Sequence, residues 1–411
     1  MSKKILVVSQ HFWPESFRIN DICDGFVEKG YEVEVLCGIP NYPTGQFFPG
    51  YGITKKRFQR RKGIKIRRCF EIKRGNNSNL RIFLNYISFP ISSVLHLPYL
   101  MKQKYDKIFI FQTSPVMMSL TGILLGKIKK IETTMYVLDL WPENLYSVLN
   151  VKSKILRGIA YAVSTWHYRQ VDKIVANSRK LQWLLKKRVK IDDKKIIFMP
   201  QFCEKIYEET IVDESIQKRF EHTFNLVFTG NISPAQSFET VIEAAKVLKE
   251  KGMGKIMWIV VGDGMSRKWL KGQVEKEGLS SDFTFIGQIP MEEVPKYTGV
   301  ADGLFACLSK SEMLDAALPA KVFSYYAAGK PVVLAMDGEI QSIVKESKAG
   351  YIVPAEDSLG LAEAVLELYQ ANQEERQQMG ENAKEYYDKH FERNKNMEKL
   401  IDFMFEEENI R

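Results

Sequence analysis

Residues 224–264 have the sequence FNLVFTGNISPAQSFETVIEAAKVLKEKGMGKIMWIVVGDG, which contains a complete strand–helix–strand unit. FNLVFTGN is a short apolar run that ends in small polar residues, and KIMWIVVGDG is a second run of the same kind. The intervening SFETVIEAAKVLKEKG has the apolar spacing of an amphipathic helix. Two apolar strands joined by a helix predict parallel strands in a sheet that is covered on both faces.

The same alternation continues along the chain in both directions. Downstream, strands are predicted at FTFIGQ, GLFACL, PVVLAM and AGYIVP. Upstream, they are predicted at KKILVVSQ, YEVEVLCG, KIFIFQ, TTMYVLDL, KIVANS and KIIFMP. A polar, aperiodic segment separates the two series. We therefore expect an α/β protein with two Rossmann-like, doubly wound domains facing across a cleft.

Length and composition agree with two domains. The chain has 411 residues, of which 45% are hydrophobic, and a single core seldom serves so many residues. We predict an N-terminal domain over 1–200, a linker over 201–222, a C-terminal domain over 223–385, and a C-terminal helix over 386–411 that packs back on the first domain. Five scattered cysteines indicate reduced thiols in a cytoplasmic protein, and the short apolar run at the start does not predict a signal peptide.

Positive charge is concentrated in one part of the N-terminal half. The net charge is +9, and residues 55–74 contain eleven Lys or Arg against one acid, Glu71. This patch favours an anionic partner. Prolines and polar residues interrupt the apolar segment 80–101, so we predict a helix that lies on the domain and contacts a membrane surface. An ordinary buried helix pair is the alternative. Nucleic acid is not expected as a partner, because no RNA-binding module is recognisable.

Small polar loops follow three strands of the second domain. The carboxyl ends of parallel strands meet at one edge of a sheet, where ligands bind. A glycine after a strand is most often a simple turn, but three such loops in one domain indicate a binding site. Neither a GxGxxG nor a P-loop motif is present, which argues against dinucleotide-binding and ATPase functions. The loop residues are Gly230, Asn231, Gly262, Asp263, Gly287 and Gln288.

A short helix is predicted from Pro319 to Ala328 within the segment ALPAKVFSYYAAGKPVV, residues 317–333. Proline suits the first helical position, and Gly329 suits the end. The first turn carries Lys321, although a cation there opposes the helix dipole. A diphosphate bound between the helix N-terminus and Lys321 would remove this conflict. The alternative is a solvated surface lysine.

These motifs together resemble the retaining GT-B glycosyltransferases of family 4 over nearly the whole chain. They are similar in particular to the bacterial O-antigen and capsule subgroup that includes L-fucosaminyltransferases acting on lipid-linked sugars. The resemblance implies retaining transfer of an N-acetylated amino or deoxy sugar from a UDP-sugar to a polyprenyl-diphosphate-linked acceptor, by a peripheral protein on the cytoplasmic face of the plasma membrane. The segments that carry it are SQHFWPESFRINDI, GIPNYPTG, LDLWPENL, FTGNISPAQSFETVIEAA, VGDGM, GQIP and LPAKVFSYYAAGKPVV.

The resemblance also implies roles for individual residues. Asp139, beside the donor sugar, and Lys321, at the diphosphate, are the expected catalytic residues. No metal and no cofactor are expected. The expected acceptor-binding residues are Trp13, Pro14, Glu15 and Arg18. The expected donor-binding residues are Gly230, Asn231, Gln236, Gly262, Asp263, Gly287, Gln288, Ile289, Pro319, Ala320, Lys321 and Ser324.

The chain departs from the family pattern at several of these positions. Ala316 and Ser324 replace a pair of glutamates, the second of which usually holds the ribose hydroxyls; Glu312 is a possible substitute. Asn231 and Gln236 stand where Arg and Lys are often found. Two alternatives stay open. One is a nucleotide-sugar 2-epimerase, which would share the two-domain architecture. The other, which the departure at Ser324 keeps open, is a catalytically weakened nucleotide-sugar-binding protein.

Overall fold

The computed structural model describes residues 2–75, 78–143, 153–209, 211–311, 314–316 and 318–406. The chain divides into two compact units, Met1–Pro200 with Asn394–Arg411, and Gln201–Arg393. We call them the N-terminal domain and the C-terminal domain. Each is built on one largely parallel sheet with helical connections. The prediction of two doubly wound α/β domains is therefore confirmed.

The N-terminal domain contains one eight-stranded sheet. Its strands are β1 (Lys4–Val8), β2 (Glu32–Cys37), β3 (Phe58–Arg61), β4 (Ile64–Arg68), β5 (Lys107–Gln112), β6 (Thr133–Val137), β7 (Lys173–Ala176) and β8 (Ile196–Phe198). Their spatial order is β3-β4-β2-β1-β5-β6-β7-β8, and every pair is parallel except β3 with β4. The central strands are buried on both faces, which explains their continuous apolar runs. The helices before the C-terminal domain are α1 (Ile19–Glu28), α2 (Asn79–Val94), α3 (Leu97–Met101), α4 (Leu120–Lys129), α5 (Lys154–Gln170) and α6 (Arg179–Val189).

The C-terminal domain contains a six-stranded sheet in which every pair is parallel. Its strands are β9 (Phe224–Thr229), β10 (Ile256–Val261), β11 (Phe283–Gly287), β12 (Gly303–Cys307), β13 (Val332–Ala335) and β14 (Gly350–Val353). Their order is β11-β10-β9-β12-β13-β14. The helices are α7 (Glu214–Phe220), α8 (Phe238–Glu250), α9 (Arg267–Lys276), α10 (Val294–Gly299), α11 (Ala320–Ala327), α12 (Ile340–Ser347), α13 (Ser358–Gln370) and α14 (Gln373–His390).

The segment between the two sheets is more than a simple linker. The segment 201–222 contains α7 and groups with the C-terminal domain. Asp213 caps α7 through its side chain, and Phe220 at the other end of the helix is buried. The last helix, α15 (Arg393–Phe405), groups with the N-terminal domain. There, the Nζ of Lys29 lies 2.5 Å from Oε1 of Glu398.

The basic segment contains a hairpin that the sequence analysis did not predict. β3 and β4 are joined by Lys62 and Gly63, whose φ angles of 45° and 82° suit a tight hairpin turn. Arg68 is fully buried and donates to the carbonyl of Trp13 at 2.6 Å. The patch therefore presents fewer cations than its composition indicates. The exposed ones are Lys55, Lys56, Arg60, Lys62 and Lys73.

The apolar segment forms α2 and α3, separated by Leu95 and His96. Among the described residues, Asn79–Met101 is the single helical stretch long and apolar enough to cross a membrane, and 39% of its most apolar window is buried. Its inner side packs Phe89 into the core, whereas Leu80 and Leu95 are exposed. The segment is thus two-sided, with apolar side chains on both its buried and its exposed side.

Candidate functional site

Backbone hydrogen bonds join the three glycine loops at the carboxyl edge of the C-terminal sheet. The amide of Gly230 donates to the carbonyl of Val261 at 2.9 Å, and the amide of Gly262 donates to that of Gly287 at 2.8 Å. Gly262 has a φ of 139°, and a Cβ there would lie 1.9 Å from the carbonyl oxygen of Gly230. Only glycine allows this approach. The loops predicted from sequence therefore form one cluster.

Lys321 lies beside this cluster, in the first turn of α11. Its Nζ donates to Oε1 of Gln236 and lies 3.9 Å from the ring centre of Phe228. The same nitrogen is 3.4 Å from the point that a Cβ of Gly230 would occupy. Pro319 is the N-cap residue rather than the first helical residue, because α11 begins one residue later. The cation and the first glycine loop thus share one site.

Tyr325 fixes α11 to the sheet and so determines where Lys321 points. Its buried hydroxyl accepts a hydrogen bond from the amide of Thr229 at 3.0 Å and donates to the carbonyl of Phe305 at 3.2 Å. Thr229 ends β9, and Phe305 lies in β12. Tyr326 is also fully buried. Both tyrosines are buried packing residues.

Burial lowers the pKa of Lys321 to about 7. Within the described part of the chain, its one hydrogen-bond partner is the neutral amide of Gln236, which does not offset the loss of hydration. An anion bound beside Nζ would restore the charge. The surroundings of this nitrogen therefore favour a negatively charged ligand over a neutral one.

This lowered pKa predicts a pH dependence of folding stability. Between about pH 7 and pH 10.5, the unfolded chain keeps the lysine protonated and the folded chain does not, so the free energy of unfolding rises with pH. Lys321→Met removes this contribution. The stability of the wild type minus that of the variant should therefore increase as the pH rises through this window. Denaturant unfolding of both proteins measures it, and a constant difference would contradict a desolvated cation.

The positions that depart from the family pattern occupy the same edge. Ser324 follows Lys321 by one helical turn and is 7% exposed, so it presents a small neutral group. Ala316 is buried at the end of a short 3-10 turn. Glu312 lies outside the described residues, and its role stays a prediction. Asn231 is exposed on the first glycine loop.

Arg267 is a cation at this edge that the sequence analysis did not include. It begins α9, its Nη1 lies 3.2 Å from Oδ2 of Asp263, and its Nη2 is 3.2 Å from the point that a Cβ of Gly287 would occupy. Its Nε is buried and has no hydrogen bond among the described residues. Gln288 and Ile289 follow on the same loop. The sequence did contain a signal for Arg267, because an arginine shortly after a glycine loop and at the start of a helix is well placed to contact a ligand.

In the N-terminal domain, Glu15 holds together the loops that follow β1 and β2. Its Oε1 accepts the amides of Asn41 and Tyr42, both at 2.7 Å. Its Oε2 lies 3.0 Å from Nδ1 of His11. The side chain is 2% exposed and both oxygens are engaged. Glu15 therefore positions the loops at this edge of the sheet, and its expected contact with an acceptor stays a prediction.

The other predicted acceptor residues surround the same loop. Trp13 and Pro14 are half-buried, and the amide of Trp13 donates to Oδ1 of Asn20 at 2.8 Å. Arg18 is 9% exposed and stands immediately before α1. All lie after the carboxyl end of β1.

Asp139 follows β6 at the same edge of the N-terminal sheet. Its Oδ2 accepts hydrogen bonds from both the amide and the hydroxyl of Ser114, each at 3.1 Å. Ser114 lies in the loop after β5, so the carboxylate is fixed by the neighbouring strand connection. This arrangement is compatible with two roles for Asp139, orienting the donor sugar or only holding the loops together. The substitution Asp139→Asn distinguishes them.

Comparisons with known proteins find similarity to glycosyltransferases. Residues 212–386 match the family described as Glycosyl transferases group 1. The chain is 25% identical over 348 residues to WcaI of Escherichia coli (strain K12), which is named as a colanic acid biosynthesis glycosyl transferase; 80% of this chain and 83% of WcaI are aligned. The C-terminal part of the chain is thus similar to the group 1 glycosyltransferases, and most of the chain is similar to a colanic acid biosynthesis glycosyl transferase.

Solved structures share its fold. Sucrose-phosphate synthase from Thermosynechococcus elongatus has a TM-score of 0.75 at 15% identity, over 97% of both chains. HepE from Anabaena, in complex with UDP and glucose, has a TM-score of 0.72 at 13% identity, over 99% of this chain and 100% of HepE. The architecture is thus that of the GT-B glycosyltransferases, as the sequence resemblance implies.

Proposed function

We propose that the protein is a retaining glycosyltransferase that moves a sugar from a UDP-sugar to a polyprenyl-diphosphate-linked acceptor, in O-antigen or capsular polysaccharide synthesis. The observation that carries the proposal is Lys321, a desolvated cation beside three joined glycine loops at the ligand-binding edge of the sheet. The complex of HepE with UDP and glucose supports UDP as the nucleotide. An N-acetylated amino or deoxy sugar follows from the resemblance to L-fucosaminyltransferases.

In this mechanism, protein groups stabilise the leaving diphosphate. The amides at the start of α11 and the ammonium of Lys321 stabilise the negative charge that develops as the sugar–phosphate bond breaks. The acceptor hydroxyl attacks the anomeric carbon from the side of the leaving group, and a phosphate oxygen takes its proton. Asp139 supports the positive charge on the sugar. No metal is expected to take part, as the resemblance to the family 4 enzymes implies.

The substitution at Ser324 is the observation that favours a second candidate. A neutral hydroxyl in place of a carboxylate makes weaker hydrogen bonds to the ribose hydroxyls. This is consistent with a nucleotide-sugar-binding protein of low activity. Ser324→Glu distinguishes weak donor binding from true inactivity. A gain of activity shows that the ribose contact was limiting.

The proposal is tested by supplying UDP-N-acetylglucosamine, UDP-N-acetylgalactosamine and UDP-glucose, each with and without a polyprenyl-diphosphate sugar. We expect UDP release that requires the acceptor, and a product that keeps the anomeric configuration of the donor by NMR. Epimerised UDP-sugar without acceptor would replace the proposal with the epimerase function. Nucleotide binding without turnover would replace it with the binding protein.

We also propose that the N-terminal domain docks on the anionic inner face of the membrane. Exposed apolar side chains on α2 and just after it, namely Leu80, Ile91 and Leu95, could enter the lipid interface. Lys55, Lys56 and Arg60 are exposed in the basic segment. Lysine and arginine contribute about 1 kcal/mol each near an anionic surface, so these three cations matter for binding.

Replacing Lys55, Lys56 and Arg60 by glutamine should therefore weaken binding to vesicles that contain phosphatidylglycerol by roughly 100-fold. Binding to phosphatidylcholine vesicles should change little. A matched control replaces Lys251, Lys268 and Lys276, three exposed lysines of the C-terminal domain. Co-sedimentation measures both variants, and equal losses would show a general charge effect instead of a docking surface.

A further inference from the structure

Arg74 lies in the connection between β4 and α2, and its guanidinium sits against two aromatic rings. Its central carbon is 5.3 Å from the ring centre of Tyr42 and 5.5 Å from that of Tyr86. Aromatic faces attract a cation but accept no strong hydrogen bonds from it. Nε donates to Oδ1 of Asn85 at 3.2 Å. Among the described residues, neither Nη1 nor Nη2 makes a hydrogen bond.

A buried polar network fixes the direction of this guanidinium. Asn85 is fully buried and donates from Nδ2 to Oε1 of Glu71 at 2.6 Å. Gln10, also buried, donates from Nε2 to the same oxygen at 2.7 Å and to Oδ1 of Asn85 at 3.2 Å. The side-chain amide of Asn85, whose oxygen accepts from the Nε of Arg74, is therefore held by two further side chains. Such a network gives the arginine a single orientation before any ligand binds.

The backbone around Arg74 is fixed as well. Its amide lies 3.4 Å from Oδ1 of Asn41, and the amide of Gly75 donates to the carbonyl of Gly45 at 2.7 Å. Asn41 and Gly45 belong to the loop after β2, whereas Arg74 follows β4. These strands are adjacent and parallel. The guanidinium is thus placed at the carboxyl edge of the N-terminal sheet, where ligands bind in this class of fold.

The carboxylate of Asp139 lies near the same two rings. Burial raises the pKa of the phenols of Tyr42 and Tyr86; the charge of Arg74 opposes this rise, and that of Asp139 adds to it. Both charges therefore act on the same pair of side chains. An anion held by Arg74 would therefore lie close to Asp139, the residue that we propose to stabilise the positive charge on the reacting sugar.

We propose that Arg74 is a binding residue for an oxyanion of the acceptor, which selects acceptors that carry a negative group close to the reacting hydroxyl. This inference rests on the proposed function, because it assumes that an acceptor binds at this edge. The two coplanar Nη groups, which make no hydrogen bond among the described residues, match two oxygens of a phosphate or a carboxylate. The oxyanion is either the phosphate attached to the acceptor sugar or the carboxylate of an acidic sugar.

The test uses α-glucose 1-phosphate and glucuronic acid as probes, with glucose as the neutral comparison. Ligand-observed NMR titrations measure their dissociation constants on the full chain. The variants are Arg74→Gln, Arg74→Lys, and Lys73→Gln, which removes one exposed charge at the neighbouring position. Lys321→Met is included so that binding at the donor site is recognised. Thermal unfolding checks that each variant is folded.

We expect at least one anionic probe to bind tenfold or more tightly than glucose. Arg74→Gln should abolish this preference, and Arg74→Lys, which keeps the charge but not the planar fork, should retain only part of it. Lys73→Gln and Lys321→Met should leave it unchanged. Which probe is preferred identifies phosphate or carboxylate as the group bound.

The proposal is overturned if no anionic probe is preferred over glucose, or if Arg74→Gln keeps the preference. It is also overturned if Lys73→Gln causes an equal loss. Loss in Lys321→Met alone would assign the anion to the donor site and reject Arg74. UDP binding by the wild type tests the proposed function separately, so the two can fail independently.

Discussion

Lys321→Met is expected to weaken UDP binding by roughly 10- to 100-fold and to lower the turnover of UDP-sugar by about 100- to 1,000-fold. A charge-assisted hydrogen bond contributes about 1.5–3 kcal/mol to binding, and one preorganised donor to a developing anion typically contributes 10²–10³ in rate. Methionine keeps the apolar stem against Phe228 and removes only the ammonium. Calorimetric titration with UDP and steady-state kinetics measure the two effects.

The folded state should not suffer from the same substitution. Because the pKa of Lys321 is lowered to about 7 by burial, the charged side chain destabilises the empty protein near neutral pH. The midpoint of thermal unfolding should therefore stay constant or rise. Lys330→Met is a matched control, since burial also lowers the pKa of Lys330, which precedes β13 at the opposite edge of the sheet. An equal loss of UDP binding in both variants would reject the diphosphate contact.

Asp139→Asn is expected to lower kcat by about 100- to 1,000-fold while the dissociation constant for UDP stays within a few-fold of the wild type. Asparagine keeps an acceptor for the amide and hydroxyl of Ser114, so the connection between the loops after β5 and β6 survives. The negative charge, which we propose to stabilise the sugar in the transition state, is lost. Kinetics under saturating donor measure the effect.

Asp172 provides a closely matched control for Asp139. Its Oδ2 accepts from the amide and the hydroxyl of Thr133, both at 2.8 Å, in the same pattern. It stands just before β7, at the amino edge of the sheet. Asp172→Asn should therefore leave kcat nearly unchanged. If both substitutions reduce kcat equally, or if neither does, Asp139 serves the structure alone.

The sequence predicted the strands with long apolar runs and missed those whose pattern is dominated by charge. In FQRRKGIKIRR, Ile64 and Ile66 are buried and alternate with half-buried Lys65 and Arg67, which is the pattern of an edge hairpin. Four of these eleven residues are arginine, so the segment was interpreted as a charged patch. The burial of Arg68 depends on the carbonyl of Trp13, a contact across 55 positions that no local pattern contains.

The candidate site also combines features that local sequence predicts with contacts between residues far apart in the chain. Glycines after strands and a lysine in a first helical turn are local signals, and they located the loops and Lys321. The lowered pKa of Lys321 depends on its burial in the folded domain, and its hydrogen-bond partner Gln236 lies 85 positions away along the chain. Arg74 gains its orientation from Asn85 and Gln10, which belong to separate elements. The proposed binding role of Arg74 can therefore be inferred only from the folded structure, in which these side chains are in contact.

The central claim is that the carboxyl edge of the C-terminal sheet binds a nucleoside diphosphate through Lys321. The most direct measurement is a calorimetric titration of the wild type and of Lys321→Met with UDP, and of the wild type with GDP and ADP. The account predicts that UDP binds the wild type at one site per chain and that the variant loses most of this affinity. No binding of UDP, GDP or ADP to the folded wild type, or equal binding of UDP to both proteins, would contradict it.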